Sequence, residues 1–180
     1  MFIEHGAGAK AVIIPARTVD FQIDFEALAQ SISTHTRAVV VNSPNNPSGA
    51  VYAPDTIRQL AALLRQKSEE IGHPIFLISD EPYRELVYDS STEVPFLPHY
   101  YDNTLVCYSY SKSLSLPGER IGYVLIPDTV PDFEQTYAAI CGAGRVLGYV
   151  NAPSLFQRVV AQCSGLTADL SIYARNRDLL

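Results

Sequence analysis

The sequence predicts an α/β fold on three observations. Short runs of apolar residues, several β-branched, recur along the chain and are long enough for strands only. Between them, apolar residues return at helical spacing. Strands apolar on both faces, alternating with amphipathic helices, describe a sheet covered on both sides. The composition agrees: 47 % of the 180 residues belong to the apolar set and 18 % are charged, which allows a sizeable core and excludes a disordered chain.

Taken in order, residues 11–14 form a short strand candidate. Phe25, Leu28, Ala29 and Ile32 give an amphipathic helix near 24–33. Residues 37–42 (RAVVVN) are a strand that stops at the turn-rich segment SPNNPSG. Pro54 then sits where a first helical turn begins, with Asp55 favouring the helix dipole. Ile57, Leu60, Ala61, Leu64, Ser68 and Ile71 mark one face of that helix. Further strands are expected at 74–79, 104–109 and 121–126. Phe133, Tyr137, Ile140, Gly144 and Leu147 mark another helix, and a last helical region starts near Pro153 and runs past Gly165 to the C-terminus. Gly142, Gly144 and Gly148 read as close helix packing, because their spacing and helical setting do not suit a dinucleotide fingerprint. No linker divides the chain, so residues 1–180 are one unit; the last residues read as mid-helix, which suggests a piece of a larger domain.

Several function classes are disfavoured. Thirteen basic against nineteen acidic residues give a formal net charge of −6, the wrong sign for a general nucleic-acid coat. Cys107, Cys141 and Cys163 lie far apart, with no Cys-x-x-Cys pair, which argues against a disulfide framework or zinc ribbon and for a reducing, cytoplasmic setting. Cys107 reads as a buried strand residue and not a nucleophile. His5, His35, His73 and His99 are isolated, so no metal site is expected. No apolar run is long enough to span a bilayer, and the first residues lack a signal-peptide pattern.

Chemistry concentrates at three places just past buried strands, the edge where ligands bind in open α/β sheets. They are the segment 42–49 (NSPNNPSG), the segment 79–83 (SDEPY), and the segment 109–112 (SYSK) followed by 118–122 (GERIG). Singly, each has a plain reading: Asn, Pro and Gly make turns, Asp-Glu starts solvated helices, and Lys and Arg coat surfaces. Their shared edge and complementary chemistry raise the combination above its parts.

The combination resembles the class I/II aminotransferases, pyridoxal 5′-phosphate (PLP) enzymes of fold type I. Asn46-Pro47-Ser48-Gly49 matches that family's Asn-Pro-[Thr/Ser]-Gly turn, Asp80-x-x-Tyr83 its strand end, and Ser109-x-x-Lys112 with Gly118-x-Arg120-x-Gly122 its lysine attachment site. The resemblance implies part of the PLP-binding large domain, with a partial, mainly parallel sheet flanked by helices. It implies that Lys112 forms a Schiff base with PLP and shuttles the Cα proton. Asp80 would keep the pyridine nitrogen protonated, Tyr83 and Asn46 would hydrogen-bond the 3-oxygen, and Ser109 and Arg120, with Ser111 assisting, would hold the phosphate. The implied activity is amino transfer from an L-amino acid to a 2-oxo acid, in a cytoplasmic homodimer acting on these small molecules, with no nucleic-acid or membrane partner. The family's phosphate loop and substrate-carboxylate arginine fall outside the matched blocks, so no particular substrate is implied, and the 180 residues alone are expected to be inactive and poorly soluble. The same cradle serves β-lyases, decarboxylases, synthases and PLP-sensing transcription regulators, and these stay open.

Overall fold

The computed structural model describes residues 2–87, 89, 91–166 and 169–179. Four strands form one sheet in the order β1 (Ala38–Asn42), β2 (Phe76–Asp80), β3 (Thr104–Ser109) and β4 (Gly122–Leu125). The first three run parallel; β4 returns antiparallel to β3. The register sets Asn42 opposite Asp80 and Asp80 opposite Cys107, so the polar strand ends lie in one row. Ser109 pairs with Gly122. An added Cβ at Gly122 would lie 2.3 Å from the Tyr108 carbonyl oxygen, so only glycine lets β4 approach β3 this closely.

Two helices cover one face. In α1 (Phe25–Ser31) the N-cap Asp24 accepts a hydrogen bond from the Ala27 amide at 2.9 Å. In α2 (Pro54–Ile71) Pro54 occupies the first turn, and Gly72, at φ 77°, ends the helix in the left-handed conformation that glycine tolerates. The anticipated face of α2 is the buried one: Ile57, Leu60, Ala61 and Leu64 pack with Leu28, Val41, Ile75, Leu77, Leu97 and Tyr101. Each fully buried leucine contributes about 1.5–3 kcal/mol. Ser68, on the same face, accepts the Ile75 amide at 3.1 Å and so ties the end of α2 to the approach of β2.

The remaining helices are α3 (Tyr110–Ser113), α4 (Phe133–Val146), α5 (Ser154–Gln162) and α6 (Ser171–Leu179). No residue of α4 or α5, and none of the described residues of α6, is buried. Among the described residues no helix is long and apolar enough to cross a membrane.

The mainly parallel sheet flanked by helices is as expected, but four details differ. Among the described residues the sheet is not covered on both sides: Val40 of β1 is 57 % exposed and β4 is exposed throughout. Apolarity on both faces says that a strand can be covered twice, not that its own segment supplies both covers. Residues 11–14 make no strand; Val12 and Ile13 are exposed and only Ile14 packs on the core. The last helical region is broken between Gln162 and Ser171, with Gly165 at φ 84° and residues 167 and 168 outside the described set, as is Leu180. An added Cβ would meet nothing within 4 Å at Gly142 or Gly148, and at Gly144 only the Tyr149 carbonyl just beyond the helix, so among the described residues these glycines pack against no other helix.

Candidate active site

The site is built on the polar row at the ends of β1, β2 and β3. Asn42 is its hub. Its Nδ2 donates to the Asp80 carbonyl at 2.9 Å and to Asp80 Oδ2 at 3.3 Å, while its Oδ1 accepts the Asn46 amide at 2.9 Å. Asn45 donates to the same Oδ1 at 3.3 Å, and its own Oδ1 accepts Ser48 Oγ at 2.7 Å. Asn42 thus fixes the 45–49 turn against β2. Asn42 opens the segment 42–49, but nothing in the sequence singled it out from the residues that follow it.

That turn presents Asn46 to the next block. Asn46 Nδ2 donates to Tyr83 Oη at 3.0 Å, and the Lys112 ammonium lies 5.7 Å from the Tyr83 ring centroid, within cation–π range. Asn46, Tyr83 and Lys112 come from three separate segments, 66 positions apart at the extremes, and meet at one point. Asp80, three residues before Tyr83, is half-buried, and burial holds its carboxyl above the usual carboxylate range. Across the ladder, burial and then the charge of Asp80 push the Cys107 thiol up.

Lys112 is held through its short helix. The Ser109 hydroxyl accepts the Ser111 amide at 3.2 Å and donates to Ser111 Oγ at 2.8 Å. The Tyr108 hydroxyl donates to buried Ser113 at 2.7 Å, and the Tyr110 amide to the Ile121 carbonyl at 3.1 Å. Tyr123 of β4 stacks on Tyr108 with centroids 5.0 Å apart. Arg120 is less committed. It is exposed, sits at φ 53°, and its Nη1 donates to the Pro117 carbonyl at 2.8 Å instead of to Ser109. The ladder brings its neighbour Gly122 opposite Ser109, so the backbones are close although the side chains do not touch in this conformation.

A family model described as "Aminotransferase class I and II" matches residues 3–169. The chain belongs to that family. Arginine–pyruvate transaminase AruH of Pseudomonas aeruginosa is 34 % identical over 96 % of this chain and 42 % of its own length. The crystal structure of an amino transferase from Eubacterium rectale superposes with a TM-score of 0.94 at 64 % identity, over 97 % of this chain and 44 % of that one. A PLP-dependent aminotransferase from Streptococcus suis superposes with a TM-score of 0.61 at 30 % identity, over 77 % and 35 % respectively. The chain spans less than half the length of these relatives.

The residues of this chain fit a cofactor of the PLP type by their chemistry. Burial holds the Asp80 carboxyl above its ordinary pKa, and its Oδ2 has one long amide contact, so a cationic N–H partner would suit it. A paired amide and phenol suit a phenolate oxygen, and an exposed amine reaches over the same phenol. Glu81, read from sequence as part of a solvated start, is instead 1 % exposed and ion-paired to Arg84 at 3.1 Å. The i,i+3 spacing of these two was visible, but on its own it describes a surface pair.

Proposed function

We propose that residues 1–180 form a central part of the large domain of a longer PLP-dependent aminotransferase, which moves an amino group from an L-amino acid to a 2-oxo acid. The convergence of Asn46, Tyr83 and Lys112 beside half-buried Asp80 carries the reading. The span of less than half the relatives' length supports the placement within a longer chain. When bound, PLP supplies an electron sink for negative charge at the substrate Cα.

The chain's own residues prepare that chemistry. Asp80 Oδ2 would hold a proton on the ring nitrogen, and a cation there would relieve the cost of its burial. Tyr83 Oη and Asn46 Nδ2 would donate to the 3-oxygen, favouring its ionised form. Lys112 Nζ would attach the cofactor, then carry the Cα proton once released. Its exposure leaves that nitrogen free to move. Ser109 and Arg120 would hold the phosphate, the guanidinium turning from Pro117 and the hydroxyl from Ser111. We further propose a cytoplasmic homodimer with amino acids and 2-oxo acids as its substrates, following the scattered free cysteines and the family resemblance.

Product analysis of the full-length polypeptide tests the reading. Incubation with PLP, an L-amino acid panel and a 2-oxo acid should yield a new 2-oxo acid and a new amino acid in equal amounts. Ammonia with pyruvate and no new amino acid would assign the chain's site to β-elimination instead.

A further inference from the structure

The turn after β2 carries two residue pairs at i,i+3 spacing that face opposite ways. Asp80 and Tyr83 belong to the polar row. Glu81 and Arg84 turn inward, and both are heavily engaged. The Glu81 amide donates to the Cys107 carbonyl at 2.9 Å, continuing the β2–β3 ladder by one step. Its carboxylate accepts Ser79 Oγ at 2.7 Å on one oxygen and Arg84 Nη1 at 3.1 Å on the other. The same guanidinium donates to the Pro95 and Val94 carbonyls, each at 3.0 Å, and lies 5.5 Å from the Phe96 ring centroid.

An exposed Glu–Arg pair is worth little, and a buried one rarely stabilises more than apolar residues of the same size. What this pair supplies is direction. It locks the backbone on both sides of Tyr83 to the sheet and to the 94–96 segment. A tyrosine hydroxyl sits at the end of a long rigid side chain, so a small backbone rotation moves it far. A site of this kind tolerates little such movement.

We propose that Glu81 and Arg84 are positioning residues that aim the Tyr83 hydroxyl at the cofactor's 3-oxygen. This rests on the functional reading above. Their side chains hydrogen-bond Ser79, Val94, Pro95 and each other and none of Asn42, Asn46, Asp80 or Lys112, and the pair flanks Tyr83 along the backbone, so Tyr83 carries their effect to the site. A hydroxyl donated to the 3-oxygen stabilises its negative charge and weakens its hold on a proton at the neighbouring nitrogen. Losing or misaiming that donor therefore raises the pH midpoint of the bound cofactor's visible band.

The test is a spectroscopic pH titration of the full-length, PLP-loaded polypeptide, with thermal melting of the cofactor-free form alongside. Tyr83→Phe should raise the midpoint by about one pH unit, a tenfold change in proton affinity. Arg84→Met should raise it in the same direction, and adding Arg84→Met to Tyr83→Phe should move it no further, because the two act through one hydroxyl. Arg84→Lys keeps the charge without the fork and should give a smaller rise; it carries the test if Arg84→Met does not fold. Arg84 variants that melt earlier yet titrate like the parent, or whose shift adds in full to that of Tyr83→Phe, would overturn the inference. A parent polypeptide that binds PLP without a visible band, or does not bind it, overturns the functional reading and the inference with it.

Discussion

Two regions of the molecule are built differently. From α1 to β3, side chains interlock: Leu60, Leu64, Ile75 and Leu77 have no exposed surface, and α1 and α2 cover one sheet face. From β4 onward, the strand is exposed along its whole length, and α4 and α5 bury no residue. The candidate site lies on the seam. Its acid and amide half, Asp80 and Asn46, is fixed by the Asn42 hub on the packed side. Its amine and guanidinium half, Lys112 and Arg120, extends exposed side chains from short segments next to the open side. This asymmetry would serve the proposed site, with a cofactor held on one side and a lysine released on the other.

The comparison can be broken most severely in the packed region. Leu64→Ala, which empties a site with no exposed surface, should lower stability by about 2–5 kcal/mol in denaturant unfolding of the full-length polypeptide. Gly122→Ala strikes the seam. Its Cβ overlaps a backbone oxygen that cannot swing aside, so a loss of about 1–3 kcal/mol is expected, together with weaker PLP affinity as the 120–122 segment shifts from Ser109.

Asp80→Asn sharpens the comparison by its sign. Burial raises the folded-state pKa of Asp80 above its unfolded value, so ionisation costs stability. That cost is absent at pH values below the ordinary carboxylate range and grows as pH rises toward the folded-state pKa. The cofactor-free variant should therefore melt above the parent near pH 7 and match it in acid, while binding PLP more weakly. Equal melting at both pH values would show that burial of the carboxylate is not a strain on the fold. The smallest effect belongs to the open region: Val159→Ala on α5, 37 % exposed, should change stability by less than about 0.5 kcal/mol. A loss comparable to that of Leu64→Ala would mean that the full-length polypeptide packs the second region as firmly as the first.

The sequence exposed some of these features because their physics is local. Pro54 and Gly72 bracket α2, the β-branched runs mark β1 to β3, and three polar blocks after strands put Asn46, Tyr83 and Lys112 at one edge. What stayed hidden depends on partners far along the chain. Four apolar residues at 11–14 cannot reveal that no strand pairs with them. The apolar run at 121–126 cannot reveal that β4 remains uncovered. Asn42 gains its importance from Asp80, 38 positions away, and Glu81 its burial from Ser79 and an arginine anchored to residues 94 and 95. Arg120 fits the motif, yet its guanidinium direction is set by Pro117.

In the proposed function the Lys112 amine and the Asp80–Tyr83 edge share one cofactor. Borohydride reduction of the PLP-loaded full-length polypeptide, followed by peptide mapping, tests it directly. The account predicts a single pyridoxyl group on Lys112, lost in Lys112→Ala, where activity falls by about 10⁴-fold. A pyridoxyl group on Lys10 or Lys67, with Lys112 unmodified, would contradict it.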